Sequence, residues 1–76
     1  MNFMLVVRFR PEAMREALAR RNQSQRDLAL AINVEPSYLS ALIRGDHEPS
    51  PRLRRRVLAT LNLSFDDIFE LFRLGQ

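Results

Sequence analysis

The side chains best equipped for bond-making chemistry stand in one short run, Asp46-His47-Glu48. The run resembles half of a metal site, but neighbours in a turn rarely converge on one ion. No second histidine and no cysteine is present to complete it. The lack of cysteine also removes disulfides and thiolate nucleophiles. Catalysis is therefore not expected, and neither is a cofactor, a metal or a small-molecule ligand. What remains is arginine. All twelve basic side chains are arginines, against nine carboxylates, for a formal charge of +3. Arg44, Arg52, Arg54, Arg55 and Arg56 fall close together, whereas Asp66, Asp67 and Glu70 make the tail acidic. A basic middle with an acidic end suits docking on a polyanion from one side.

The elements that must position these groups are short. A chain of 76 residues makes one domain and buries only about 60% of its unfolded surface, so a partner or second copy would help a thin core. A large substrate pocket would compete with that core, which places binding modules ahead of enzymes. The apolar stretch Met1–Val7 is ended by Arg8 and Arg10, too early for a signal peptide or a membrane span. The expectation is a soluble cytoplasmic protein with no membrane partner.

Residues 1–9 read as an N-terminal arm or strand. Phe3, Leu5, Val7 and Phe9 alternate with Met4, Val6 and Arg8, so one strand face is fully apolar. A lone strand must pair with something, such as the same strand of a second copy; the alternative is a loose apolar arm laid over the helices. Residues 10–76 read as five helices. Pro11 opens the first, with Phe9 and Met14 as a staple across it. Ser24 and Asp27 form a capping box for the second, about 25–32, which Asn33 ends in a left-handed turn. Pro36 starts the third, about 36–44, and Gly45 closes it. Ser50-Pro51 opens the fourth, which Asn62 ends, and Ser64 with Asp67 caps the fifth. In that fifth helix Phe65, Ile68, Phe69 and Phe72 cover the core, which leaves Leu71 and Leu74 outward as an interface or, alternatively, folded back on the N-terminal arm. The fold class predicted is all-α, a compact five-helix bundle.

The second and third helices are joined by a turn with no spare residues, and Ala29 sits where a small side chain lets two helices cross closely. That is the geometry of a helix-turn-helix. With Leu39 and Leu42 inside, Ser37, Tyr38, Ser40, Ala41 and Arg44 line the outer side of the third helix. Short side chains let a helix approach base edges: serine donates or accepts there, and the Ala41 methyl meets a thymine methyl. Tyr38 either reaches DNA or caps the bundle. On the fourth helix Arg52 and Arg55 share one side and read as phosphate contacts near the helix start, while Arg54 and Arg56 diverge. Arg26 reads as a phosphate contact; Arg15, Arg20 and Arg21 read as partners of Glu12 and Glu16 or of the flanking backbone, and Arg8 and Arg10 as solvated.

The stretch SQRDLALAINVEPSYLSALIRG, with Leu61, Leu63, Ser64 and Asp67 behind it, resembles the phage-repressor and Cro-like (XRE-type) helix-turn-helix family over residues 10–72. The resemblance implies a lambda-repressor-like bundle that reads double-stranded DNA. It assigns base reading to Pro36, Ser37 and Ala41, and phosphate contacts to Gln25, Arg44 and the turn through His47. Pro36 and Ala41 are apolar at reading positions, so methyl contacts and DNA shape share the readout. The function expected is a sequence-specific transcriptional regulator, a homodimeric repressor on a palindromic operator. Its dimer interface is expected among Phe3, Leu5, Val7, Phe69, Leu71, Phe72 and Leu74. The alternative is an antitoxin-type protein that binds a toxin; polymerase is a further protein partner.

Overall fold

A computed structural model describes residues 3–75; the outermost residues of the expected arm and domain, 1, 2 and 76, lie outside the described residues. The order is β1 (Met4–Phe9), α1 (Pro11–Arg20), α2 (Gln25–Ala31), α3 (Pro36–Arg44), α4 (Pro51–Leu61), α5 (Phe65–Ile68) and β2 (Phe69–Leu74). The five helices form the compact helical bundle anticipated, and each begins where its signal stands. Pro11, Pro36 and Pro51 occupy first-turn positions, where a missing N–H costs nothing. Asn33, Gly45 and Asn62 all adopt positive φ, at 62°, 93° and 56°, and so stop their helices in one residue. Among the described residues, sixteen side chains make one core, from Val7 through Leu28, Leu39 and Leu42 to Phe69.

The fifth helix is corrected. It lasts one turn, and Phe69 leaves it in extended conformation at φ −122°, ψ 159°. The rest of the tail is β2, antiparallel to β1 in the register Phe9↔Phe69, Val7↔Leu71, Leu5↔Arg73 and Met4↔Leu74. The N-terminal segment is thus a strand, and its partner lies in the same chain. Two extended segments satisfy each other's backbone groups, and the ladder begins beyond the helix with Arg10 N–H donating to Ile68 O at 2.8 Å. At the base of the ribbon the Phe9 and Phe69 rings lie 4.7 Å apart, both inside the core.

Burial falls along the ribbon. Val7 and Phe69 are 7% and 0% exposed, whereas Leu5, Leu71 and Leu74 are 52%, 51% and 47% exposed, with Phe3, Met4 and Phe72 also open. Two expectations change accordingly. Val7 and Phe69 belong to the protomer's own core rather than to an outward interface, because they sit where the ribbon roots. Phe72, on β2 opposite Val6, is exposed and does not cover the core. The projecting ribbon contributes to a molecule of 44 × 22 × 19 Å.

Candidate nucleic-acid interface

The entry to α2 is closed by a complete capping box. The Ser24 hydroxyl accepts from Asp27 N–H at 3.0 Å, and the Asp27 carboxylate accepts from Ser24 N–H at 2.8 Å. That backbone donor first, and the hydroxyl second, hold the Asp27 carboxyl below its ordinary value of 3.8. Gln25 and Arg26 stand between the two, both exposed, and neither is hydrogen-bonded through its side chain among the described residues.

Between α2 and α3 the chain reverses within Ile32–Glu35. Val34 N–H donates to Ala29 O at 2.9 Å, and Ala29 itself is fully buried, so no side chain holds the helices apart. The inner side of α3 is Leu39, Leu42 and Ile43. Ser37, Ser40, Ala41 and Arg44 stand at i, i+3, i+4 and i+7, one stripe on the opposite side. Ser37 and Arg44 are exposed, while Pro36, Ser40 and Ala41 are half-buried. Tyr38 is exposed, and its ring lies 5.9 Å from that of His47. It widens the stripe onto the turn after α3 instead of capping the bundle. The five expected base-reading residues therefore share one helix, with Ser37 and Tyr38 foremost.

Arg44 is engaged locally. Its Nη2 and Nε donate to Asp46 Oδ2 at 2.9 and 3.2 Å, and its Nη1 donates to Ser40 Oγ at 3.2 Å. An exposed pair of this kind is worth about 0.2–1 kcal/mol, within reach of competition from a phosphate. The α4 cluster splits in two. Arg52 and Arg55 are exposed and bond no other group among the described residues. Arg54 Nη1 donates to Pro49 O at 2.9 Å and Arg56 Nη1 to Ile32 O at 2.7 Å; Arg56 thus supplies a cation and a donor at the end of α2. Arg15 and Arg20 pair with Glu12 and Glu16 at 2.6 and 2.7 Å.

Two arginines expected in solvent hold the fold together. Arg8 Nη1 donates to the Gly45 carbonyl, and Arg10 Nε donates to Phe69 O at 2.9 Å. Glu48, beside the histidine, accepts from Val7 N–H at 2.9 Å, so the Asp46-His47-Glu48 run supplies a structural tie. Among the described residues no group of three or more His, Cys, Asp or Glu side chains could hold a metal ion. No helix among them is long and apolar enough to cross a membrane.

A helix with a short-chained outer stripe, set across a second helix by a tight turn, defines a helix-turn-helix DNA-binding domain. The Helix-turn-helix family profile matches residues 14–68, and the chain belongs to that family. It is similar to an uncharacterized HTH-type transcriptional regulator, YvzC, of Bacillus subtilis (strain 168): 29% identical over 63 residues, covering 83% of this chain and 82% of the relative. No solved structure matches the chain significantly.

Proposed function

We propose that the protein is a sequence-specific double-stranded DNA-binding transcriptional regulator of the Cro-like (XRE-type) branch, acting as a homodimeric repressor on a palindromic operator. The observation that carries the reading is the α3 stripe of Ser37, Ser40, Ala41 and Arg44, an outer face too short-chained for a helix whose only task is solvation. In this reading α3 lies in the major groove. Ser37 and Tyr38 meet base edges first, and Pro36, Ser40 and Ala41 lie behind them against methyl groups. Gln25, Arg26, Arg44, His47, Arg52 and Arg55 hold phosphates on either side. The exposed end of the ribbon, Phe3, Leu5, Leu71, Phe72 and Leu74, receives a second copy, which would set the half-sites one helical turn, about 34 Å, apart. The similarity to a protein described as an HTH-type transcriptional regulator supports a regulatory role.

The test is a salt titration of binding to the DNA upstream of the protein's own gene, with a scrambled duplex of equal length beside it. Retention of the first at salt that releases the second, with a steep dependence of affinity on salt, is the expected result. Equal affinity for both duplexes overturns the operator reading. A chain that sediments as a monomer and binds neither favours the antitoxin-type reading, in which the apolar ribbon serves a different protein.

A further inference from the structure

We propose that Arg8 is a positioning residue that, with Glu48, clamps the recognition helix to the ribbon and so sets the pose in which two copies read two half-sites. The inference rests on the dimeric DNA-binding reading above and concerns how the two surfaces are held relative to each other.

Three ties converge on the five residues after α3. The Arg8 guanidinium donates to the Gly45 carbonyl at the last turn of α3, where the helix end carries partial negative charge. One residue earlier, Val7 N–H, on the edge of β1 turned away from β2, donates to Glu48 Oε2 at 2.9 Å. From the far side Arg54 bonds Pro49 O at 2.9 Å and lies 3.9 Å from Glu48 Oε2. Pro49 itself is fully buried. Gly45 has two reasons to be glycine. Its φ of +93° is left-handed, and a Cβ there would stand 2.9 Å from Arg8 Nη1, so a side chain would push the guanidinium off its carbonyl.

The geometry makes β1 both the root of the exposed ribbon and the brace of α3. A single copy on one half-site does not need the brace, because the whole domain can reorient on the groove as one body. Two copies joined through their ribbons must place both recognition helices at once. A loose brace then lowers the effective concentration of the second helix at its half-site. The distinguishing quantity is the ratio of full-site to half-site affinity, which a general loss of stability would not change.

The experiment uses the full chain and a duplex selected by it from a randomised pool, together with the same duplex with one half scrambled. Variants R8M, R8K and E48A are compared with the wild type, their folding checked by circular dichroism. The wild type binds the full site far more tightly than the half site. R8M and E48A keep half-site affinity within about twofold and lose about tenfold on the full site. R8K, which can still donate to Gly45 O, restores most of the ratio. An unchanged ratio in R8M, or in E48A if R8M does not fold, overturns the clamp alone. A wild type that prefers the full site no more than the half site overturns the dimeric reading and the clamp with it.

Discussion

Phe9 and Phe69 are cross-strand partners at the base of the β-ribbon, ring centroids 4.7 Å apart, and the Phe65 ring packs tilted against Phe69 at 5.4 Å. Phe69 is where the chain leaves α5 and enters β2, so one fully buried ring fixes both the end of the helix and the root of the strand. Truncating it to alanine leaves a cavity that neither neighbour can fill. Phe69→Ala should cost about 3–5 kcal/mol in a denaturant titration, most of the stability expected of so small a domain. A loss below about 1 kcal/mol would show that the ribbon roots elsewhere.

Arg44 and Asp46 make a further testable pair. Asp46 holds the Arg44 guanidinium, and a phosphate contact by Arg44, as proposed above, would require that pair to open. Asp46→Ala frees the arginine and removes a negative charge beside the groove. Affinity for any duplex should rise roughly twofold to fivefold, from the worth of an exposed pair. Arg44→Ala should lower it and reduce the slope of log affinity against log salt by about one. Filter binding over a salt series measures both; equal slopes for wild type and Arg44→Ala would remove Arg44 from the phosphate contacts.

How much of this was legible in the sequence depends on the range of the interactions. Caps and turns act over three or four residues, and Ser24 with Asp27, Asn33, Gly45 and Asn62 all do what their types imply. The stripe on α3 was legible for the same reason: Leu39 and Leu42 fix the inward direction and helical periodicity places Ser37 and Arg44 opposite. The tail was not. In Phe65–Leu74 the apolar residues fit a helical spacing through Phe65, Ile68, Phe69 and Phe72, and an extended one from Phe69 onward. The decision is made by β1, sixty residues away, which local pattern does not contain. Arg8 and Arg10 were misread on the same ground, since their carbonyl partners lie 37 and 59 residues along the chain. Asn22, at φ 55°, ends the first helix in the manner of Asn33 and was readable by the same rule.

Acid should act on α2 through Asp27. Its folded carboxyl titrates below 3.8 because Ser24 N–H and the Ser24 hydroxyl bond the charged form. A folded value lower than the unfolded one adds stability that is fully present above the unfolded value, near 4. That stability is lost as pH falls through the folded value. Asp27→Asn, which cannot ionise, should therefore melt below the wild type at pH 7 and converge with it under strongly acidic conditions. Thermal unfolding by circular dichroism at pH 7 and at pH values below about 4 reads this directly. A gap of the same size at every pH would assign the effect to hydrogen bonding alone. The box encloses Gln25 and Arg26, so the same substitution should also weaken DNA binding at neutral pH.

The end of the ribbon offers the cleanest separation of folding from assembly. Leu71 and Leu74 are about half exposed and contribute little to the protomer's core, so charging them should leave the melting temperature within a few degrees. Two aspartates would meet their own copies across a two-fold axis, where like charges facing each other in an apolar contact are strongly unfavourable. Leu71→Asp combined with Leu74→Asp should turn a dimer into a monomer in sedimentation equilibrium at micromolar concentration. Half-site binding should persist, because Ser37, Tyr38 and Arg44 are untouched. Full-site binding should fall about a hundredfold, the usual loss when two linked contacts become one. A double variant that remains dimeric would place the second copy away from the ribbon. If the wild type is itself monomeric while the variant binds DNA equally well, the apolar end belongs to another partner.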